Sequence, residues 1–429
     1  MLSHDSLVHV NLSRKGEISR SNFLRLGMVS VASWTLLRGI TANADQLRSE
    51  GRACILVWLS GGPSQMDTFD PKPNHANGGA TKSVKTAVPG IEIAEYFPKL
   101  ATRMKDVSVI RSIAGKEAAH ERGTYHLHTG RRLTGAAKFP NFGSLVAHKL
   151  GDPKSDIPNF VSVGQTLSSG FLGVQAAPFV VDRPGTLPDN IAAVTDEART
   201  RRRLQLLAAQ EADFSAAGAK QLVAEHQNLY ERARSLMTSP RLKAFKLDDE
   251  PAAVKERYGA KSQLGQGLLV ARRLVEVGVP FVEVRRGGWD MHSRLFENIK
   301  TAGADVDTGL SALLADLKDR GMLDRTLVIC MGEFGRTPKI NDRPPTPGRD
   351  HWARNFSIAV AGGGLRGGQA IGSTSEDGME IVDHEVQVED LFQTFCKSMR
   401  IDANEELYTP EGRPLKIVDG GATISELIA

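Results

Sequence analysis

Apolar residues along this chain fall into two kinds of run. Residues 53–59, 327–331 and 356–361 form short blocks with almost no polar interruption. A strand with one wet face alternates, so blocks without alternation predict strands buried on both faces, as in a parallel sheet covered by helices. Residues 107–111, 158–163 and 280–284 predict three further short strands. The second kind of run repeats every three or four residues, over 265–277, 306–320 and 386–399, and predicts amphipathic helices. A longer charged stretch, 195–237, carries Leu204, Leu207, Phe214, Leu222 and Leu229 at helical spacing and belongs to a helical insertion of about 195–260, a lid or an oligomer contact. Strand and helix patterns take turns, which predicts an α/β fold with a mostly parallel central sheet.

Residues 72–90, rich in Lys, Gly, Asn and Pro, read as a surface loop. Gly362-Gly363-Gly364-Leu365-Arg366-Gly367 satisfies G-x-G-x-x-G, but the strand-like segment 368–372 follows where a dinucleotide site needs a helix. Nicotinamide and flavin binding are set aside on that ground.

The first 44 residues predict an export signal. Arg14, Lys15, Arg20 and Arg25 precede an apolar segment too short to span a bilayer, and Ala42-Asn43-Ala44 supplies a small-x-small cleavage pattern. The run from Ser19 to Arg25 is similar to a twin-arginine signal with Ser21 in place of the second arginine, which leaves both export routes open. A periplasmic or extracellular protein follows, with residues 45–429 as one α/β domain and no membrane span after cleavage. Residues 1–44 hold five basic and two acidic side chains, so the formal charge of +4 falls to +1 beyond them. A near-neutral chain gives no electrostatic reason to expect a nucleic-acid partner. Cys54, Cys330 and Cys396 are odd in number and widely spaced, so buried free thiols are expected, and nothing demands a bridge between the first two.

Candidate chemistry collects where apolar blocks end. After the first, Ser60-Gly61-Gly62 leads to Asp67 and Asp70; Asp67 can ligate a metal or form a turn, and Asp70 reads as structural. The segment HERGTYHLHTGRR places His120, His126 and His128 beside Arg122, Arg131 and Arg132. Imidazoles bind metals or move protons, and guanidinium groups hold oxyanions. Helical spacing puts His120, Thr124 and His128 on one face. Asp290 and His292 lie two apart, so an extended backbone turns both to one side, as two ligands of one ion require. Glu333, Arg336, Asp350 and His351 follow the block 327–331, at the carboxyl rim where open α/β sheets bind ligands.

The combination LVWLSGGPSQMDTFDPKP, HERGTYHLHTG, RRGGWDMH, MGEFGRTP and GRDHW resembles a family of exported bacterial proteins of unassigned function, the domain-of-unknown-function family 1501. That family is placed in the alkaline-phosphatase and sulfatase superfamily. The resemblance covers nearly all of the chain beyond its signal and implies an alkaline-phosphatase-like three-layer sandwich. It also implies one divalent ion on Asp290, His292 and His351, with Asp67, Glu333 and Asp350 as further acidic candidates. Glu333 and Phe334 stand where the superfamily has an Asp-His pair, and His120 stands where it has a Cys or Ser nucleophile. A histidine can attack phosphorus but cannot become formylglycine, and Thr124 and Ser64 are alternative hydroxyls nearby. The implied activity is metal-dependent hydrolysis of a phosphate or sulfate ester, small or polysaccharide. His120 would be nucleophile or general acid, Arg122 or Arg336 would steady the oxyanion, and the ion would be Zn, Mn, Ca or Mg. The alternative is a degenerate exported binding or scaffold protein that keeps the fold.

Overall fold

The first apolar block becomes β1 (Ala53–Leu59), whose seven residues are all buried. The computed structural model describes residues 50–135, 137–191 and 195–428, so the expected export segment lies outside the described residues. The chain divides into Met1–Glu50 and Gly51–Ala429, and the sheet belongs to the second unit. Its further strands are β2 (Val107–Ala114), β3 (Phe160–Val163), β4 (Phe179–Val181), β5 (Phe281–Arg286), β6 (Thr326–Met331), β7 (Phe356–Gly362), β8 (Ala370–Ile371) and β9 (Val386–Gln387). The spatial order is β8, β2, β7, β6, β1, β5, β3, β4, with β9 also on β2. The central strand β1 is parallel to both neighbours, with Cys54 opposite Phe281 on one side and Leu327 on the other.

Helices cover both faces, which is why β1 does not alternate. The longer helices are α1 (His120–Thr129), α2 (Phe142–Leu150), α3 (Glu197–Phe214), α4 (Lys220–Thr238), α5 (Ala252–Tyr258), α6 (Gln263–Glu276), α7 (Leu295–Asp319) and α8 (Val388–Ser398). Ala53, Ile55, Val57 and Leu59 share one buried cluster with Leu268 of α6 and Leu310 of α7. On the opposite face the Trp58 ring lies 4.0 Å from His128 of α1. There Phe142 of α2 also meets Phe281 at 6.0 Å and Phe392 of α8 at 5.8 Å. Each fully buried Val, Leu or Ile in these layers contributes roughly 1.5–3 kcal/mol. The result is a three-layer α/β sandwich around a mostly parallel sheet.

One strand departs from the parallel pattern. β7 runs antiparallel to both β2 and β6, whereas the other pairings of this sheet are parallel. The carboxyl ends of β1, β2, β5 and β6 therefore share an edge with the amino end of β7. A residue that precedes β7 reaches the same crest as residues that follow the others.

The 195–237 stretch is helical as expected, in two pieces. It is broken between α3 and α4, where Gly218 takes φ 106°, outside helical space. Of its apolar residues at helical spacing, Phe214, Leu222 and Leu229 are 67%, 69% and 46% exposed. Only the far end of α4 reaches the buried core, through Leu236, so part of the apolar stripe stays in solvent.

Candidate metal centre

Three loops meet above the crest, and glycine lets them approach. A Cβ on Gly61, after β1, would overlap the backbone of Trp289 and Asp290 in the loop after β5. The Gly61 amide instead donates to Glu333 Oε1 at 2.8 Å, tying in the loop after β6. Gly123 does the same for α1: a Cβ there would sit 2.9 Å from the Phe334 ring and 3.0 Å from the Glu333 carbonyl. The helix can therefore lie directly on the Glu333-Phe334 turn, and its first residue, His120, projects into the crest.

Three imidazoles converge there, and each is oriented through Nδ1. His120 Nδ1 lies 2.7 Å from Glu333 Oε1, and His292 Nδ1 lies 2.7 Å from Asp350 Oδ1. His351 Nδ1 lies 2.8 Å from the Ala118 carbonyl. A carbonyl has no hydrogen to give and a carboxylate accepts, so each Nδ1 carries a proton and Nε2 is the ring atom left to face the other donors. Those Nε2 atoms face one another and Asp290. His292 Nε2 is 3.1 Å from His351 Nε2, and the two are 3.0 and 3.2 Å from Asp290 Oδ1. His120 Nε2 is 3.4 Å from Asp290 Oδ2, a buried atom without a hydrogen-bond partner.

Two imidazole Nε2 atoms at 3.1 Å need a proton or a cation between them. Asp290 does not supply a proton: burial works against its charge, but the Arg336 hydrogen bond and charge, then His351 and His292, outweigh burial and hold its carboxyl at about 2. Burial lowers the His351 pKa, with the Arg336 charge adding to it against the Ala118 hydrogen bond, which favours the neutral ring. For Asp350, burial is outweighed by the His292 hydrogen bond and the Arg343 charge, so it stays ionised as the partner of His292. The donors thus fit a divalent cation: ring nitrogens aimed inward, one carboxylate among them, and an outer oxygen behind each ring. His120, Asp290 and His351 offer ligand atoms within 4.8 Å of one another.

The remaining expected residues fall elsewhere or play other parts. Asp67 is wholly buried outside this cluster. It bonds Ser64 Oγ at 2.5 Å, Thr81 Oγ1, and Arg349 Nε at 2.7 Å. Its oxygens are committed to that ion pair, formed across 282 residues of sequence, so it is not placed to ligate an ion with Asp290. Arg336 is also wholly buried and donates to the carbonyls of Gly61, Gly62 and Arg349 and to Asp290 Oδ1. Such a guanidinium holds Asp290 in place and has no surface for an oxyanion. Arg122 is 56% exposed and pairs with Glu117 at 2.7 Å.

The two-residue spacing of Asp290 and His292 acts through a different backbone from the extended one expected. Met291 N donates to Trp289 O and His292 N to Asp290 O, successive three-residue turns that bring both side chains to one point. The histidines of α1 part company. His128 bonds buried Glu283 at 3.2 Å beneath Trp58, and His126 is buried with its pKa lowered by desolvation.

Sequence reasoning missed Arg349 and Arg343. Arg349 is buried and fixes the loop before His351 through the carbonyls of Asn77, Thr337 and Pro338. Its position beside Asp350 and His351, in a chain with a carboxylate to spare at Asp67, was the available signal. Arg343 stands at the rim, 56% exposed and 2.9 Å from Asp350.

Fold and crest together define an α/β protein with a histidine-rich candidate metal centre. The chain belongs to the family described as "Protein of unknown function (DUF1501)", whose model matches residues 51–428. No protein of curated function matches it in sequence. It is similar to the solved structure of a sulfatase from Pseudoalteromonas sp., with 13% identity, TM-score 0.40, and 84% of this chain against 72% of that one. It is also similar to the phosphonate monoester hydrolase of Agrobacterium radiobacter, with 14% identity, TM-score 0.35, and coverage of 88% and 77%. A protein in the alkaline phosphatase superfamily from Vibrio parahaemolyticus is similar at 10% identity and TM-score 0.40, with coverage of 88% and 70%.

Proposed function

We propose that this protein is an exported, divalent-metal-dependent hydrolase of phosphate or sulfate esters. The observation that carries the reading is the convergence of two imidazole Nε2 atoms, 3.1 Å apart, on an ionised Asp290 at the sheet crest. Asp290, His292 and His351 would hold the ion, which when bound would polarise the ester oxygen and lower the pKa of a coordinated water.

The chain's own groups do the rest. Asp350 and the Ala118 carbonyl fix the His292 and His351 rings, and buried Arg336 fixes Asp290. Arg343, 56% exposed beside Asp350, would offer a guanidinium to an anionic ester, with Arg122 of α1, paired with Glu117, as the second candidate. Export rests on the pattern of residues 1–44; among the described residues no helix is long and apolar enough to cross a membrane.

A second reading, a binding protein without catalysis, is favoured by Phe334. Its ring packs 5.1 Å from His120 and 4.6 Å from His351 and ligates nothing. Metal analysis of the purified protein, followed by aryl phosphate and aryl sulfate assays of wild type and His292→Ala, separates the two. Hydrolysis by wild type that fails in the variant supports the enzyme. Metal uptake with neither ester cleaved supports the binding protein.

A further inference from the structure

We infer that His120 is a ligand of the ion rather than a nucleophile, and that the completed set of three imidazoles and one carboxylate selects a zinc-class transition ion over calcium or magnesium. This rests on the metal-centre reading above and goes further, because it assigns the residue at the expected nucleophile position and the class of ion.

The accessibility of His120 separates the two roles. The side chain is 39% exposed, yet its Nε2 is buried and has no hydrogen-bond partner. The ring therefore shows carbon to solvent and turns Nε2 inward, to Asp290 Oδ2 at 3.4 Å. A nucleophile needs that nitrogen facing an incoming ester. A ligand needs it facing the other donors, and the His120 ring centroid lies 4.4 Å from that of His351 in an edge-on arrangement.

The outer contacts agree. His120 is held by Glu333 as His292 is held by Asp350, both through Nδ1 at 2.7 Å, the arrangement that fixes and strengthens a metal-bound imidazole. Glu333 is itself clamped by the Gly61 amide at 2.8 Å and is almost wholly buried, so the support is rigid. Its Oε1 is engaged with His120 and Gly61 as an outer carboxylate, while Oε2 is buried without a hydrogen-bond partner.

Donor type then selects the ion. Calcium takes six to eight oxygens and magnesium an octahedron of oxygens with several waters, whereas imidazole suits zinc and its neighbours. A crest with three inward imidazole nitrogens and one carboxylate is nitrogen-rich.

The test uses the full chain stripped with a chelator and titrated by calorimetry with Zn²⁺, Co²⁺, Mg²⁺ and Ca²⁺ separately. Wild type should take one Zn²⁺ or Co²⁺ per chain, with Mg²⁺ and Ca²⁺ unable to displace either at equal concentration. The visible absorption of the Co²⁺ form should change on His120→Ala, with affinity falling by more than the roughly 10- to 100-fold typical of losing an outer-shell partner. Glu333→Gln keeps the imidazole and should weaken affinity by about 10-fold; it carries the test should circular dichroism show that His120→Ala is misfolded. An unchanged cobalt spectrum and affinity in a folded His120→Ala overturns His120 as ligand and leaves the hydrolase reading standing. In a misfolded His120→Ala, unchanged affinity in Glu333→Gln does the same. Preference for Ca²⁺ or Mg²⁺ overturns the ion class alone. Wild type that binds no ion removes both readings together.

Discussion

Two regions of this molecule bury charge, and they resolve it in opposite ways. Between α6 and α7, Arg272 is 2% exposed and reaches Glu250 at 2.9 Å, Glu276 at 2.7 Å and Asp316 at 3.2 Å. Arg273 shares Glu250, while Arg257 and Tyr258 share Asp316. Every carboxylate there has a cation of the protein's own. At the crest, three imidazoles turn Nε2 toward one carboxylate, and two of those nitrogens face each other at 3.1 Å. The first cluster is finished by folding, whereas the second is short of positive charge at one point. That deficit, more than the number of histidines, marks the crest as the place for an ion.

The largest expected effect tests the closed cluster. Arg272→Ala should cost about 3–5 kcal/mol in urea denaturation, because three carboxylates lose their shared buried partner. A loss below about 1 kcal/mol would erase the contrast. Next comes Asp67, whose pair with Arg349 is wholly buried on both sides. Asp67→Asn should cost about 3 kcal/mol by leaving Arg349 uncompensated, while ion stoichiometry stays at the wild-type value. A lost ion would return Asp67 to the metal site.

Removing the ion should lower stability by about 2.7 kcal/mol relative to protein at an ion concentration of 100 times Kd. His292→Ala should show no such ion-dependent shift, and its metal-free stability should stay within about 1 kcal/mol of wild type, because it deletes one of two opposed nitrogens. The smallest effect is in acid. Burial opposes the charge of Glu250, but Arg273 and Arg272 outweigh it and hold its carboxyl below the ordinary value. The unfolded chain then binds more protons near that value, so this contribution is full above about pH 4.3 and is lost as pH falls through the folded pKa. The stability gap between wild type and Glu250→Gln should therefore be greatest near neutrality and shrink in acid.

What was legible in the sequence follows from the range of each interaction. β1 and β6 are buried on both faces, so their apolar blocks announced them without knowledge of partners. Asp290 and His292 stood out by proximity, although turns rather than an extended backbone bring them together. Contacts made across long separations stayed hidden. Nothing local tells that Asp67 faces Arg349, that Arg336 is sealed beneath Asp290, or that Glu333 reaches back 213 residues to His120. The break at Gly218 was also unreadable, since one glycine within a helical pattern is tolerated as often as it interrupts.

The reversed direction of β7 sets when the crest can exist. His351 arrives just ahead of that strand, and β7 is seated between β2 and β6, so its backbone is fixed once both flanking ladders have zipped. A nascent polypeptide carrying His120, Asp290 and His292 but not yet residues 351–362 would have every other donor and no closing imidazole. On the proposed metal-centre reading, capture of the ion would report a completed sheet and would disfavour loading of partly synthesised chains.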